Sequence, residues 1–253
     1  MRHKKIIFIG EDCATQITVL KGLESFPVTR FSDQFETTMK EIFDASDVEV
    51  THILSSRIPY EFPNTVEKMR EYDAVFISDV SAITLFYHPL AFDKGERAPN
   101  LIKLIAEYVK EGGGFCMIGG YMSFAGYAGQ GRFHGTALEE ILPVNIFPYD
   151  DRIEVPEGGD MRVSSPGHPI LSGITGEWPF VLGYNKTVLK EGATLVISTE
   201  TKDPIIATTD CGKGRTVAFT TDCCHHWAPP AFRNWEFYPK LWGNIVNWLS
   251  RDI

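Results

Sequence analysis

Short apolar segments that end on turn-forming or acidic residues alternate with longer amphipathic ones through the first half of the chain. This alternation is the pattern of strand–helix–strand units that lay down a parallel sheet. KKIIFIGED (residues 4–12) reads as a buried first strand, VEVTHIL (48–54) as a second, DAVFISD (73–79) as a third and FCMIGG (115–120) as a fourth. Between them, Phe35, Met39, Ile42 and Phe43 recur at helical spacing, and a short helix is expected over residues 63–71. Residues 99–111 predict the clearest helix, with proline in its first turn and Leu101, Leu104, Ile105, Tyr108 and Val109 on one face. Gly112-Gly113-Gly114 stops it and returns the chain to the sheet.

The second half carries shorter β segments, around residues 144–155, 193–199, 204–210 and 215–222, before a final helix over about 236–250. No repeat or linker separates the halves, so one domain spanning residues 1–253 is expected. The fold class implied is α/β, with a mostly parallel central sheet and a β-rich extension in the second half.

Charge and composition narrow the partners. With 24 Lys+Arg against 33 Asp+Glu the formal net charge is −9, the wrong sign for generic binding to nucleic acid or an anionic membrane. The apolar runs are too short to span a bilayer. MRHKKIIFIGED meets acid and glycine too early for a signal-peptide core, so a cytoplasmic location is expected. Five unevenly spaced cysteines argue for reduced thiols rather than a disulfide framework, and the Asn185-Lys186-Thr187 sequon is then coincidental.

Ligands of open parallel sheets bind beyond the carboxyl ends of the strands. That rule selects Glu11-Asp12-Cys13, Ser78-Asp79, Gly119-Gly120-Tyr121 and Asp222-Cys223-Cys224-His225-His226-Trp227. The Gly112–Gly114 triplet is no phosphate loop, since no Gly-Lys-Ser or Gly-Lys-Thr follows it. Gly119-Gly120 suits a sharp elbow, and the glycine-rich run from Tyr121 to Gly135 is long enough to be a functional loop. Adjacent side chains on an extended segment point to opposite faces, so at most two of Cys223, Cys224, His225 and His226 can meet one ion, and no metal site is expected. Asp222 followed by His226 suits a carboxylate orienting an imidazole for acid–base work. The carboxyl-terminal aromatics are expected to be packing residues, with Trp227 and Trp235 as exceptions.

GGGFCMIGGYMSFAGYAGQGRFHGTALEEILPV (112–144), with YDAVFISDVSA before it, SSPGHPIL (164–171) after it and GRTVAFTTDCCHHWAP near the end, resembles the uncharacterised class I glutamine amidotransferase-like proteins, related to the trehalose-utilisation-like branch. The resemblance spans nearly the whole chain and implies a flavodoxin-like fold. A working glutaminase of that class needs a cysteine on the elbow and a late histidine–acid pair. Here the elbow reads Ile118-Gly119-Gly120-Tyr121, Cys116 lies inside the strand, and the late His-x-Glu pattern is replaced by Asp222 to Trp227. The expectation is a crevice that binds or processes a small polar or sugar-like ligand without glutaminase chemistry. Asp222 and His226 are its candidate catalytic pair, and Asp12, Asp79, Gly119, Gly120, Tyr121, Ser123, Arg132 and Trp227 its candidate ligand contacts. No cofactor is expected. Two alternatives stay open: a non-catalytic homo-oligomeric or interaction module, using the aromatic carboxyl-terminal region and the Tyr121 to Gly135 loop as surfaces, and a metal-assisted hydrolase using Asp222 and His226.

Overall fold

A computed structural model describes residues 3–253. Its strands, in chain order, are β1 (Lys4–Gly10), β2 (Asp12–Lys21), β3 (Glu24–Asp33), β4 (Val48–Ile53), β5 (Ala74–Ser78), β6 (Gly114–Ile118), β7 (Val144–Ile146), β8 (Arg152–Gly159), β9 (Arg162–Val163), β10 (Val181–Asn185), β11 (Thr187–Leu189), β12 (Thr194–Ser198), β13 (Pro204–Cys211) and β14 (Gly214–Phe219). Eight of them form the central sheet in the order β4-β1-β5-β6-β14-β13-β12-β9. The pairings from β4 through β14 are all parallel, and those from β14 through β9 are antiparallel. The β-rich second half also contributes two small antiparallel sheets, β8 with β10 and β7 with β11.

The parallel strands are buried on both faces, which explains their unbroken apolar runs. Alternation then divides each strand between two cores. Ile6, Phe8, Phe76, Ile118 and Phe219 pack on one face under the helix Tyr238–Leu249, whose Leu241, Trp242 and Ile245 are fully buried. Ile7, Ile9, Ile77, Phe115 and Met117 pack on the other under the helix Leu101–Lys110. Each such side chain contributes roughly 1.5–3 kcal/mol when fully buried. The aromatic centre is dense: Phe8 lies 4.7 Å from Phe35 and 6.3 Å from Phe76, ring centroid to centroid.

The helix Leu101–Lys110 starts two residues after Pro99, because Asn100 caps it by accepting from the Lys103 amide at 3.1 Å. Gly112 ends it at φ +131°, a conformation that side chains with Cβ rarely adopt. The expected helix at 63–71 is confined to Val66–Met69, held by the Thr65 side chain on the Lys68 amide.

One element departs from the βα reading. Strands β2 and β3, ten residues each, form an antiparallel hairpin that pairs with no other strand. Gly22 at φ +59° makes its two-residue turn with Leu23. Both faces are wet, and Leu20, Leu23 and Phe31 are strongly exposed. The carboxyl-terminal aromatics are packing residues as expected, and Trp227 is no exception: Trp227, Phe232, Tyr238, Trp242 and Trp248 are buried, so these rings do not form the interaction surface of the alternative reading. Apolar exposure lies on the hairpin, along with Tyr60, Phe92 and Tyr127 elsewhere.

Candidate functional site: a carboxylate crevice at the strand ends

The neighbouring strands β1, β5, β6 and β14 release the chain at Glu11, Asp79, Gly119 and Thr220 respectively. Three residues beyond these ends have left-handed backbones without being glycine: Glu11 (φ +59°), Asp79 (φ +49°) and His226 (φ +83°). Such conformations cost roughly 1–3 kcal/mol each and persist where the surroundings enforce them. Here they turn the side chains toward one another.

Glu11, rather than Asp12, enters the crevice. It is 6% exposed, and Ser78 Oγ donates to its Oε1. Burial pushes its carboxyl up to about 7, with the nearby Asp79 charge adding to the rise and the Ser78 hydrogen bond opposing it. Asp222 is 5% exposed and accepts from the Cys224 amide at 2.8 Å. Burial first, then the charge of Glu11, holds it well above the usual carboxylate range. Asp79 keeps contact with solvent, yet protein atoms crowd it enough to raise its carboxyl too, against the pull of the Met122 amide. Its Oδ1 accepts from that amide at 2.6 Å, and its own amide donates to the buried Ser123 Oγ at 3.0 Å. Gly120, at φ +151°, makes this possible: a Cβ there would lie 2.7 Å from Asp79 Oδ1.

His226 stands at the mouth. Its Nδ1 is 4.0 Å from Asp222 Oδ2 and its Nε2 3.9 Å from Glu154 Oε2, so both contacts are ion-pair separations rather than hydrogen bonds. Burial lowers its pKa, more than the Glu154 and Asp79 charges raise it. The imidazole packs edge-on to Tyr121, centroids 4.3 Å apart, and is stacked on Trp227 at 4.9 Å. Glu154 ties this wall together, accepting from Tyr121 Oη at 3.1 Å and from Trp227 Nε1 at 3.0 Å. The Arg152 guanidinium sits 4.5 Å from the ring centroids of both Tyr121 and Tyr127, and it is paired with Asp150.

Beneath the elbow, Asn185 clamps Gly120. Its Oδ1 accepts from the Gly120 amide at 2.9 Å, while its Nδ2 donates to the Gly120 carbonyl and to Asp151 Oδ1. Asp151 also accepts from the Ala125 and Gly126 amides, which folds the glycine-rich loop back on the body. The sequon asparagine is therefore a fully buried structural residue.

The structure thus gathers Asp79, Gly119, Gly120, Tyr121, Asp222 and His226 at one place. Ser123 and Trp227 support it from behind as buried residues. Asp12 turns away: its Oδ1 accepts from Ser55 at the end of β4. Arg132 is exposed on the loop at φ +60° and pairs with none of the crevice carboxylates. Asp151, Glu154 and Asn185 are missing from the candidates above; Glu11 and Ser78 are selected there by the strand-end rule but are not among the residues given a catalytic or ligand-binding role. A separate apolar groove of about 510 Å³, lined by Pro59, Tyr60, Ile83 and Tyr87 among others, shares no residue with this site.

Three of the five thiols are set apart from solvent, while Cys13 is exposed and Cys211 half-buried. Cys116 is buried inside β6, and burial pushes it far above its ordinary range. Cys223 and Cys224 are buried as well. Contrary to the extended-segment expectation, the chain turns after Thr221 and brings their sulfurs within 3.9 Å of each other, next to Glu11. His225 points elsewhere, to Gln34 Oε1 at 3.2 Å.

No helix among the described residues is long and apolar enough to cross a membrane. No functionally curated protein matches the chain. Among solved structures, cytoplasmic protein STM3548 from Salmonella typhimurium is 33% identical, with a TM-score of 0.92 over 96% of this chain and 98% of that one. Cytoplasmic protein STM1381 from Salmonella typhimurium LT2 is also 33% identical, with a TM-score of 0.91 over 97% and 99%. The cold-adapted β-galactosidase of Rahnella sp. R3 shares only the fold, at 12% identity and a TM-score of 0.51 over 83% of this chain and 26% of that one. The family model GATase1_like, described as putative glutamine amidotransferase, matches residues 5–251, and the parallel strands have the flavodoxin-like arrangement, so the chain belongs to this glutamine amidotransferase-like family.

Proposed function

We propose that this family member binds a small polar, sugar-like ligand at the mouth formed by Asp79, Tyr121, Glu154 and His226, and that it does not hydrolyse glutamine through a cysteine. The observation that carries the reading is the convergence of Glu11, Asp79, Asp222 and His226, three of them held in costly left-handed backbone to achieve it. Burial shifts the Glu11, Asp79 and Asp222 carboxyls toward the protonated form, which donates to ligand hydroxyls, and shifts His226 toward the neutral imidazole, which accepts. In this reading Asp222 and His226 exchange a proton with the ligand, directly or through water.

Against glutaminase chemistry, the elbow residue is Gly120 followed by Tyr121, and burial pushes the nearest strand-end thiol, Cys223, up to about 12. A neutral, enclosed thiol is a poor nucleophile. Thermal-shift screening against sugars, polyols and hydroxy acids tests the binding. The wild type is expected to shift with at least one class and His226→Ala to lose that shift; a wild type with no response removes the proposal. Ammonia release from glutamine that disappears in Cys116→Ala or Cys223→Ala would overturn the second half.

A second reading, association between copies of the chain, is favoured by the exposed hairpin carrying Leu20, Leu23 and Phe31. Light scattering on the wild type and on a Leu20→Lys, Phe31→Lys double variant distinguishes it. A wild type that is monomeric at all concentrations excludes it.

A further inference from the structure

The two adjacent cysteines are placed by the turn after β14 rather than by an extended strand. Cys223 Sγ and Cys224 Sγ are 3.9 Å apart, and Cys223 Sγ is 3.7 Å from Glu11 Oε1. The three donor atoms all lie within 4.8 Å of one another, and all three residues are buried. A disulfide is not what this spacing describes, since S–S bonding needs about 2.05 Å. The two edges through Cys223 Sγ do match a tetrahedron around a thiophilic ion: metal–sulfur bonds of about 2.3 Å and metal–oxygen bonds of about 2.1 Å put sulfur atoms about 3.8 Å apart and sulfur about 3.6 Å from oxygen, and the third edge lies within 4.8 Å.

Electrostatics point the same way. Glu11, Asp79 and Asp222 converge here, and among the described residues neither Glu11 nor Asp222 has a lysine or arginine ion-pair partner; Asp222 has only His226 at 4.0 Å. A buried cluster of acids without a cation needs protons or a metal to neutralise it. Ser78 Oγ donates to Glu11 Oε1 and lies 3.5 Å from Cys223 Sγ, so it orients the carboxylate toward the sulfurs as an outer-shell partner does. Two sulfurs and one oxygen exclude magnesium and calcium, which take oxygen ligands, and select zinc or a similar borderline-soft divalent ion.

We propose that Cys223, Cys224 and Glu11 form a binding site for a divalent zinc-type cation, with the fourth position left to water or another donor. Binding replaces the two thiol protons, and the Glu11 carboxyl proton where it is still held, with two metal–sulfur bonds and one metal–oxygen bond, the protons leaving to solvent. The site adjoins the crevice but does not depend on the sugar-like ligand proposed above, because metal uptake is measured without any small molecule.

The test is titration of the chelator-treated full chain, kept reduced, with cobalt(II) as the spectroscopic probe. One cobalt per chain is expected, with thiolate-to-cobalt charge-transfer absorption that zinc abolishes by displacement. Cys223→Ser and Cys224→Ser are each expected to lose the band or weaken binding at least tenfold, and Glu11→Gln to weaken it while keeping the band. The Cys13→Ser, Cys211→Ser double variant is expected to bind like the wild type. If a core serine variant fails to fold by near-ultraviolet circular dichroism, the wild type and the double variant still decide. A wild type that takes up no cobalt, or a band that vanishes in the double variant, overturns the site. So does a band that persists in a folded Cys223→Ser or Cys224→Ser.

Discussion

Glu11→Gln in the metal-free protein should raise stability at alkaline pH and remove much of its pH dependence. The carboxyl is raised from 4.5 to about 7 chiefly by burial. Between those values the folded chain holds a proton that the unfolded chain has released, so stability is fully present below about 4.5 and falls as pH rises to about 7. A difference of about 2.5 pKa units corresponds to roughly 3 kcal/mol, all of it expressed by pH 8. Glutamine keeps an acceptor for the Ser78 hydroxyl while carrying no charge, so it mimics the protonated acid at every pH. The variant should therefore match the wild type near pH 4.5 and exceed it by roughly 3 kcal/mol at pH 8, on the order of 5–10 °C in Tm for a chain of this size. Because Glu11 also raises Asp222 through its charge, the substitution lowers the Asp222 carboxyl as well, and the pair responds as a unit. Urea unfolding at pH 5, 6, 7 and 8 on both proteins measures it. Parallel stability curves for the two across this range would refute the reasoning, because they would mean that Glu11 is already charged in the folded state at pH 5.

Gly120→Ala should cost about 1–3 kcal/mol in a urea melt and displace Asp79, since the new Cβ meets Oδ1 at 2.7 Å and the backbone is at φ +151°. Asn185→Ala strips partners from both the Gly120 peptide and Asp151, so about 2–4 kcal/mol of lost stability is expected by thermal or chemical unfolding. Phe8→Ala opens the aromatic centre between Phe35 and Phe76 and should cost about 3–5 kcal/mol by the same measurement. In a histidine NMR titration, His226 should titrate below its ordinary 6.5, and Glu154→Gln should move it lower still, because the Glu154 charge raises it. An upward move would contradict the assigned geometry.

The sheet was legible because strands buried on both faces declare themselves as apolar runs, and because helices such as Leu101–Lys110 carry one continuous apolar stripe. The hairpin β2–β3 was not, since a two-stranded ribbon wet on both faces has no core to impose alternation on Thr15, Ile17, Thr18 and Val19. Strand ends located the crevice, but the choice of Asp12 from Glu11-Asp12-Cys13 did not foresee that Gly10, at φ +98°, turns the chain so that Glu11 enters it. The same kind of local turn brought Cys223 and Cys224 together. Asn185 and Asp151 carry no local signal, because their roles arise from backbone groups of Gly120, Ala125 and Gly126 that are distant in sequence.

The hairpin has a consequence for how the molecule breathes. Its base is closed by the Gln34 amide on the Glu11 carbonyl at 2.6 Å, and Asp12 pairs with Asp33, so its two ends already lie side by side. Its ladder is made only of residues near one another in sequence, so it forms early and opens without disturbing the sheet. Amide protons of β2 and β3 should exchange at a rate indifferent to low denaturant, while those of β1 and β5 follow global unfolding. The chain from Glu11 to Gln34 could thus be joined by a short turn with the eight-stranded body still able to fold.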